Sequence, residues 1–240
     1  MKQIIYIITI NILAFCLYSC SEYDTFEAPD QTFTGTVIDK NTGKPLETET
    51  GGYRIRMEEL SWSENPTPWY IPSMQDGTFQ NTKVFNGHYR VTPVEGPYYP
   101  IEGKEITVEG GKTNIEFEVE PFLNIELLSV KVEDKNITTT FKITRSSEGF
   151  KITDAKLFLS ATELCNNGAY LNVNKAGQQL SPSIDFKSTP DEEVLSTIHT
   201  LTAVGVDKGR TYSLRVGARS NDNIQKKYNY TNIEKVEVPE

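Results

Sequence analysis

Histidine, tryptophan and cysteine are scarce in this 240-residue chain, and basic residues are outnumbered by acidic ones. The three cysteines are Cys16, Cys20 and Cys165, and the first two lie in or at the end of an apolar N-terminal stretch. Cys165 alone lies beyond that stretch, so the fold downstream of it must be held by core burial rather than by an internal disulfide. The two histidines, His88 and His199, stand far apart with no cysteine or histidine near either, which is not a zinc pattern. Against 33 Asp and Glu there are 24 Lys and Arg, a net charge of -9. That balance argues against nucleic acid and against an electrostatic grip on anionic lipid, and is compatible with neutral partners such as glycans. No Gly-x-Ser-x-Gly elbow and no phosphate-cradling glycine loop ahead of a helix is present. In "DKNTG" Asp39 and Asn41 have a ligand-like spacing, but Gly43 occupies the position of the third calcium ligand, so the segment is read as a hairpin turn. Cys165, in "ELCNNG", lacks a base-bearing motif and is read as a small buried hydrophobe. Carboxylate pairs for glycoside hydrolysis arise by chance in so acidic a chain and carry no weight. No catalytic residue, metal ligand or cofactor is assigned.

What is present begins at the N-terminus. Lys2 is the only charge before Cys20, and residues 4–18 are almost unbroken apolar. A positive start, a short apolar run and the small Ser19 describe a secretory signal over 1–19. An uncleaved membrane anchor is the alternative, but a bilayer core takes about 20 apolar residues and this run is shorter. Leu17-Tyr18-Ser19-Cys20 resembles the lipobox of bacterial lipoproteins, which implies that Cys20 becomes the lipid-bearing first residue. Tyr18 departs from that pattern, where a small residue is usual. Several acyl chains on one cysteine hold a protein stably to a membrane, where one holds it marginally. Glu22 and Asp24 resemble the acidic signal that sends Bacteroidetes-type lipoproteins to the cell surface; an ordinary solvated linker is the other reading. Residues 20–31 are then the lipidated cysteine and its tether.

Beyond the tether a period of two dominates. Tyr53, Ile55 and Met57 alternate with Arg54, Arg56 and Glu58; Ile115, Phe117 and Val119 alternate with glutamates. Ile137, Phe141 and Ile143 share a face, as do Tyr212, Leu214, Val216 and Ala218. Such alternation predicts half-buried antiparallel strands. Turn signals at Thr42-Gly43, Asp76-Gly77, Asn86-Gly87, Gly110-Gly111, Asn167-Gly168 and Lys208-Gly209 separate them. The class is all-β, with two consecutive β-sandwiches. One segment dissents. Thr189 is placed to cap a short helix, with Pro190 at its first position, Glu192 three residues past the cap, and Val194, Leu195, Ile198 and Leu201 at helical spacing. Pro121 follows a complete alternating strand and marks the join, giving sandwiches over 32–121 and 122–240.

"GTVIDKNTGKPL", "DGTF" and "NGHYRVTPVEGPYYP" together resemble a carboxypeptidase-regulatory-like domain, a prealbumin-type sandwich. The last forty residues resemble the late strands of fibronectin-III or immunoglobulin-like domains, where a tyrosine, here Tyr212, bonds back to upstream backbone. The whole chain is similar to uncharacterised two-domain Bacteroidetes lipoproteins associated with SusC/SusD-like glycan-uptake systems. That resemblance implies an outer-membrane, lipid-anchored protein facing the exterior in a glycan-utilisation setting, with polysaccharide and SusC/SusD-like transporter components as candidate partners.

"LSWSENPTPWYIP" (60–72) is hard to read as core. It holds both tryptophans, Trp62 and Trp69, with Tyr70 among Pro66, Pro68 and Pro72. Aromatics on a stiff loop bind at low entropic cost, and sugar rings present an apolar C–H face to them. Tyr98 and Tyr99, in "GPYYP", are further candidates. The same rings could instead cap the sandwich core or dock a protein. The expectation is a non-enzymatic accessory for glycan capture or uptake; the alternative is a structural module that mediates protein contacts and has no ligand of its own.

Overall fold

The computed structural model describes residues 27–221 and 226–240 as two β-sandwiches in tandem; Cys20 and the expected signal over 1–19 lie outside the described residues. In the first, β1 (Gln31–Asp39) is the centre of one sheet. It pairs antiparallel with β2 (Lys44–Pro45) and β5 (Thr78–Val84) along one edge, and parallel with β8 (Lys112–Val119) along the other. The facing sheet has the order β4 (Trp69–Pro72), β3 (Arg54–Glu59), β6 (Gly87–Val94), β7 (Lys104–Val108). Phe33, Val37, Phe79 and Phe117 of one sheet and Tyr53, Ile55, Met57, Tyr89 and Val91 of the other form one core. Alternation along the strands therefore sends the apolar side inward, as the sequence pattern predicts.

Gly35 occupies one of the inward positions of β1 for a steric reason. A Cβ there would lie 2.2 Å from the Ile115 carbonyl and 2.4 Å from the Phe79 ring. The missing side chain lets Phe79 pack beside Phe33, with ring centroids 5.6 Å apart.

The parallel pairing of β1 with β8 has a large-scale consequence. The chain enters this sandwich at Gln31 and leaves it beyond Val119, which is paired with Asp39 at the opposite end of β1. At about 3.3 Å per residue those two poles are roughly 27 Å apart. The tether thus joins one pole and the second sandwich the other.

The second sandwich sets β13 (Ile198–Val204), β10 (Asn136–Thr144) and β9 (Asn124–Glu133) against a sheet of β12 (Ser183–Asp185), β11 (Ile152–Ser160) and β14 (Arg210–Ser220). β15 (Asn229–Tyr230) and β16 (Glu234–Val238) both pair with β14. Tyr212 forms the expected corner: its hydroxyl oxygen accepts the Asp207 N–H at 3.1 Å. The short helix α1 (Asp191–Ser196) differs from the predicted one. Pro190 is its N-cap and no side chain caps it, so Thr189 does not play that part. Ile198 and Leu201 belong to β13 rather than to the helix. The extended backbone at Thr197 ends the helix, and pairing of β13 with β10 outweighs the helical spacing of those apolar residues.

The two sandwiches share a dense polar interface at the junction pole. Arg215 is fully buried, donates to the Thr48 carbonyl at 2.5 Å and to Glu47 at 3.3 Å, and lies 3.8 Å from the Tyr230 ring centroid. Glu49 accepts from the Tyr230 hydroxyl at 3.0 Å and from Lys227 at 2.8 Å. The Gln75 amide donates to the Glu163 carbonyl and accepts from the Cys165 N–H and the Asn166 side chain. Asn229 accepts from the Leu123 N–H and donates to the Pro97 carbonyl.

Candidate functional site

The proline-rich loop after β3 is built as its sequence dictates. Pro66 and Pro68 cannot donate to a ladder, so regular pairing resumes only at Trp69. The indole of Trp62 stands clear of the core, 78% exposed, and its N–H donates to Glu59 Oε1 at 2.8 Å. A carboxylate at the last position of β3 thereby orients the ring.

Across from this loop, Phe85 and Asn86 form the tight connection between β5 and β6. Phe85 is 47% exposed, because this connection crosses from one sheet to the other at the end of the sandwich, outside the core. The Tyr89 hydroxyl donates to the Phe85 carbonyl at 3.0 Å and pins that turn. Burial, with the Glu59 charge adding to it, pushes the Tyr89 phenol up to about 12, so it stays a donor across the physiological range. Trp62 and Phe85 line one open cleft of about 490 Å³, together with Glu59, Asn86, Glu27, Ala28 and Asp30. The cleft lies at the tether pole, since Gln31 pairs with Val84 and the Gly87–His88 backbone meets Leu60 and Ser61.

The other aromatic candidates are placed elsewhere. Trp69 lies opposite Met57, half-buried against the first core. Tyr70 is opposite Arg56 on the outer face of the sheet, 37% exposed, with the Arg54 guanidinium 4.0 Å over its ring. Glu95 holds that guanidinium in a two-point ion pair, so one face of Tyr70 is already occupied. Tyr98 is only 3% exposed and packs edge-on against Tyr53, which removes it as a sugar contact. Tyr99 is half-buried in the second core, edge-on to Phe122, with its hydroxyl donating to the Glu148 carbonyl. The "GPYYP" loop therefore belongs to the domain junction, because Tyr98 bridges to Pro121 there. The two aromatic loops lie at opposite poles.

The sequence reading missed Phe85. Its signal was an aromatic immediately before Asn86-Gly87, a place inside a turn rather than on a strand. Elsewhere, the Cys165 thiol is fully buried and donates to the Phe158 carbonyl at 3.3 Å. Burial pushes it up to about 11, against the pull of the Arg215 charge, so it is no thiolate at neutral pH. Asp39 accepts from the Asn41 N–H and the Thr42 hydroxyl, a turn-capping role. Among the described residues no three His, Cys, Asp or Glu side chains converge as metal ligands. No described helix is long and apolar enough to cross a membrane.

Comparison with known proteins follows the same two-part division. Residues 31–120 match the N-terminal domain of a protein of unknown function, DUF3823, and residues 123–235 match the C-terminal domain of unknown function of that family. The chain belongs to the DUF3823 family. A DUF3823 family protein from Bacteroides uniformis is 28% identical, with a TM-score of 0.76 over 88% of this chain and 100% of its own. A second Bacteroides uniformis structure, described as a "putative carbohydrate binding protein", is 22% identical with a TM-score of 0.73, again over 88% and 100%. A DUF3823 protein from Parabacteroides merdae is 22% identical with a TM-score of 0.68 over the same shares. No curated protein matches the chain.

Proposed function

We propose that this protein is a non-enzymatic glycan-capture module, lipid-anchored through Cys20 on the outer face of the outer membrane, serving a SusC/SusD-like uptake system. The observation that carries the reading is the Trp62–Phe85 cleft. Two exposed aromatic rings share one open depression with hydrogen-bonding groups at its edge. Solvent-facing aromatic surface costs hydration, and two such rings beside carboxylate and amide groups match a sugar, which offers C–H faces and hydroxyls together. The "putative carbohydrate binding protein" with the same fold supports the same direction. The ten residues between Cys20 and Gln31 span at most about 35 Å, so a lipid on Cys20 keeps the cleft near the membrane, where a captured chain can be passed on.

A structural-spacer reading is favoured by one different feature, the Arg215-centred interface that fixes the two sandwiches together. One experiment separates the two. The purified protein is run through gels containing plant, host and microbial polysaccharides, beside a Trp62→Ala/Phe85→Ala variant whose fold is checked by circular dichroism. Retardation of the parent that is lost in the folded variant supports capture at the cleft. No retardation across the panel supports the spacer. Metabolic labelling with a radioactive fatty acid, compared with Cys20→Ala, tests the anchor.

A further inference from the structure

From the charge of its lining we infer that the Trp62–Phe85 cleft takes a glycan without carboxylate or sulfate groups and rejects acidic glycans. This deepens the capture reading and rests on it. Three of the described lining residues, Glu27, Asp30 and Glu59, are carboxylic, one, Asn86, is an amide, and none is lysine, arginine or histidine. Ionised carboxylates only accept hydrogen bonds. They match the donating hydroxyls of a neutral sugar, whereas a uronate or a sulfate would set acceptor against acceptor and charge against like charge. Lys83 on β5 and Lys112 opposite Thr32 stand in the same half of the sandwich, but neither is among the described lining residues, and the arginines are engaged elsewhere. Arg54 is paired with Glu95, Arg56 with Glu58, and Arg90 lies between Glu58 and Glu105, all on the outer face of the β4–β3–β6–β7 sheet. The net charge of -9 acts in the same direction at longer range. Glu59 has a double part, since one of its oxygens also holds the Trp62 indole. Stacking and selection by charge are therefore joined in one residue, and Glu59→Gln keeps the first while removing the second.

The test is affinity electrophoresis of the parent, of Trp62→Ala/Phe85→Ala and of Glu27→Gln/Asp30→Asn/Glu59→Gln. The probes are mannan, xyloglucan and laminarin as neutral polymers, with polygalacturonate and chondroitin sulfate as acidic ones. The expected result is retardation of the parent by at least one neutral polymer, unchanged between low and high salt and weakened about tenfold or more by loss of the two rings. Acidic polymers should not retard the parent, and the triple amide variant should gain measurable affinity for them. Retardation of the parent by an acidic polymer as strong as by any neutral one, and lost in Trp62→Ala/Phe85→Ala, overturns the inference while leaving the cleft a glycan site. No retardation by any polymer overturns the capture reading and this inference with it.

Discussion

Arg215 offers the sharpest quantitative test of how this chain is held together. Its guanidinium is fully buried between the sandwiches, where burial lowers its proton affinity and the neighbouring carboxylates of Glu47 and Glu49 act to restore it. Three contacts hold it: a charge-assisted bond to the Thr48 carbonyl, a longer one to Glu47, and the stacked face of Tyr230. A hydrogen bond to a charged group is worth roughly 1.5–3 kcal/mol and a desolvated cation–π contact about 2 kcal/mol. Against them stands the desolvation of the cation, with Nε left without a partner. Arg215→Ala deletes the contacts, opens a void beside Tyr230 and leaves the Thr48 carbonyl unpaired. Breaking a buried ionic contact from one side costs about 3–5 kcal/mol, while Glu47, partly exposed, regains some water. The expected loss is therefore about 3–4 kcal/mol, or roughly 10 °C for a unit of this size. Arg215→Met keeps most of the stem volume and should lose about half as much. Calorimetry checks both the size and the form of the effect: one transition in the parent, two in Arg215→Ala as the sandwiches uncouple. A single unchanged transition with a loss below about 1 kcal/mol would refute the claim that this interface binds the two domains into one cooperative unit.

Three further outcomes follow from local geometry. Gly35→Ala should cost about 3 kcal/mol in urea unfolding, because the new methyl meets the fixed Ile115 carbonyl as well as a ring. Asp191 is partly desolvated, which alone would raise its proton affinity. Bonds from Lys151 at 2.6 Å and Arg145 at 2.9 Å, with the Ile152 N–H, nevertheless hold it below its ordinary 3.8. Its stabilising contribution is thus full above about pH 4 and is lost as the pH falls through the depressed folded value. Asp191→Asn should cost about 1–2 kcal/mol at pH 7, with the difference narrowing toward pH 3 in paired denaturation curves. Tyr98→Phe removes a buried hydroxyl that has no partner, so the melting temperature should hold or rise slightly; a loss above about 1 kcal/mol would mean the hydroxyl is paired after all.

The strands were legible because a period of two survives translation into structure. Tyr53, Ile55 and Met57 face the core, and the glutamates alternating with Ile115, Phe117 and Val119 face water. The β14 strand shows the limit of that rule. Tyr212, Leu214, Val216 and Ala218 point inward as the pattern predicts, yet Ser213, Arg215 and Gly217 on the supposedly wet face are buried as well. Glu47 and Thr48 of the first sandwich cover Arg215, while Phe158, Tyr230 and Cys165 of the second domain close over Gly217 and Ser213, and a pattern local to one strand has no access to either. The same limit explains Tyr98 and Tyr99. A proline-flanked aromatic pair reads as a surface loop, but Pro121 and Phe122 come back over it from later in the chain. Trp62 was legible as non-core because its three neighbouring prolines deny it a strand. Phe85, its companion in the cleft, was not, since their proximity is produced by β3 and β5 ending at the same pole.

That pole matters more than the identity of any one ring. An antiparallel pairing of first and last strands would bring entry and exit of the first sandwich to the same end, crowding the tether, the cleft and the second domain together. The parallel β1–β8 pair instead separates them by the length of a nine-residue strand. The junction pole spends its polar and aromatic side chains, Glu47, Glu49, Gln75 and Tyr99, on fixing the second sandwich. The tether pole leaves Trp62 and Phe85 exposed. Under the proposed reading, rigidity at one end and exposed aromatic surface at the other would let a capture module hold a ligand close to a lipid anchor while projecting its second domain outward. The strand topology, fixed before any side chain is considered, is what makes that division possible.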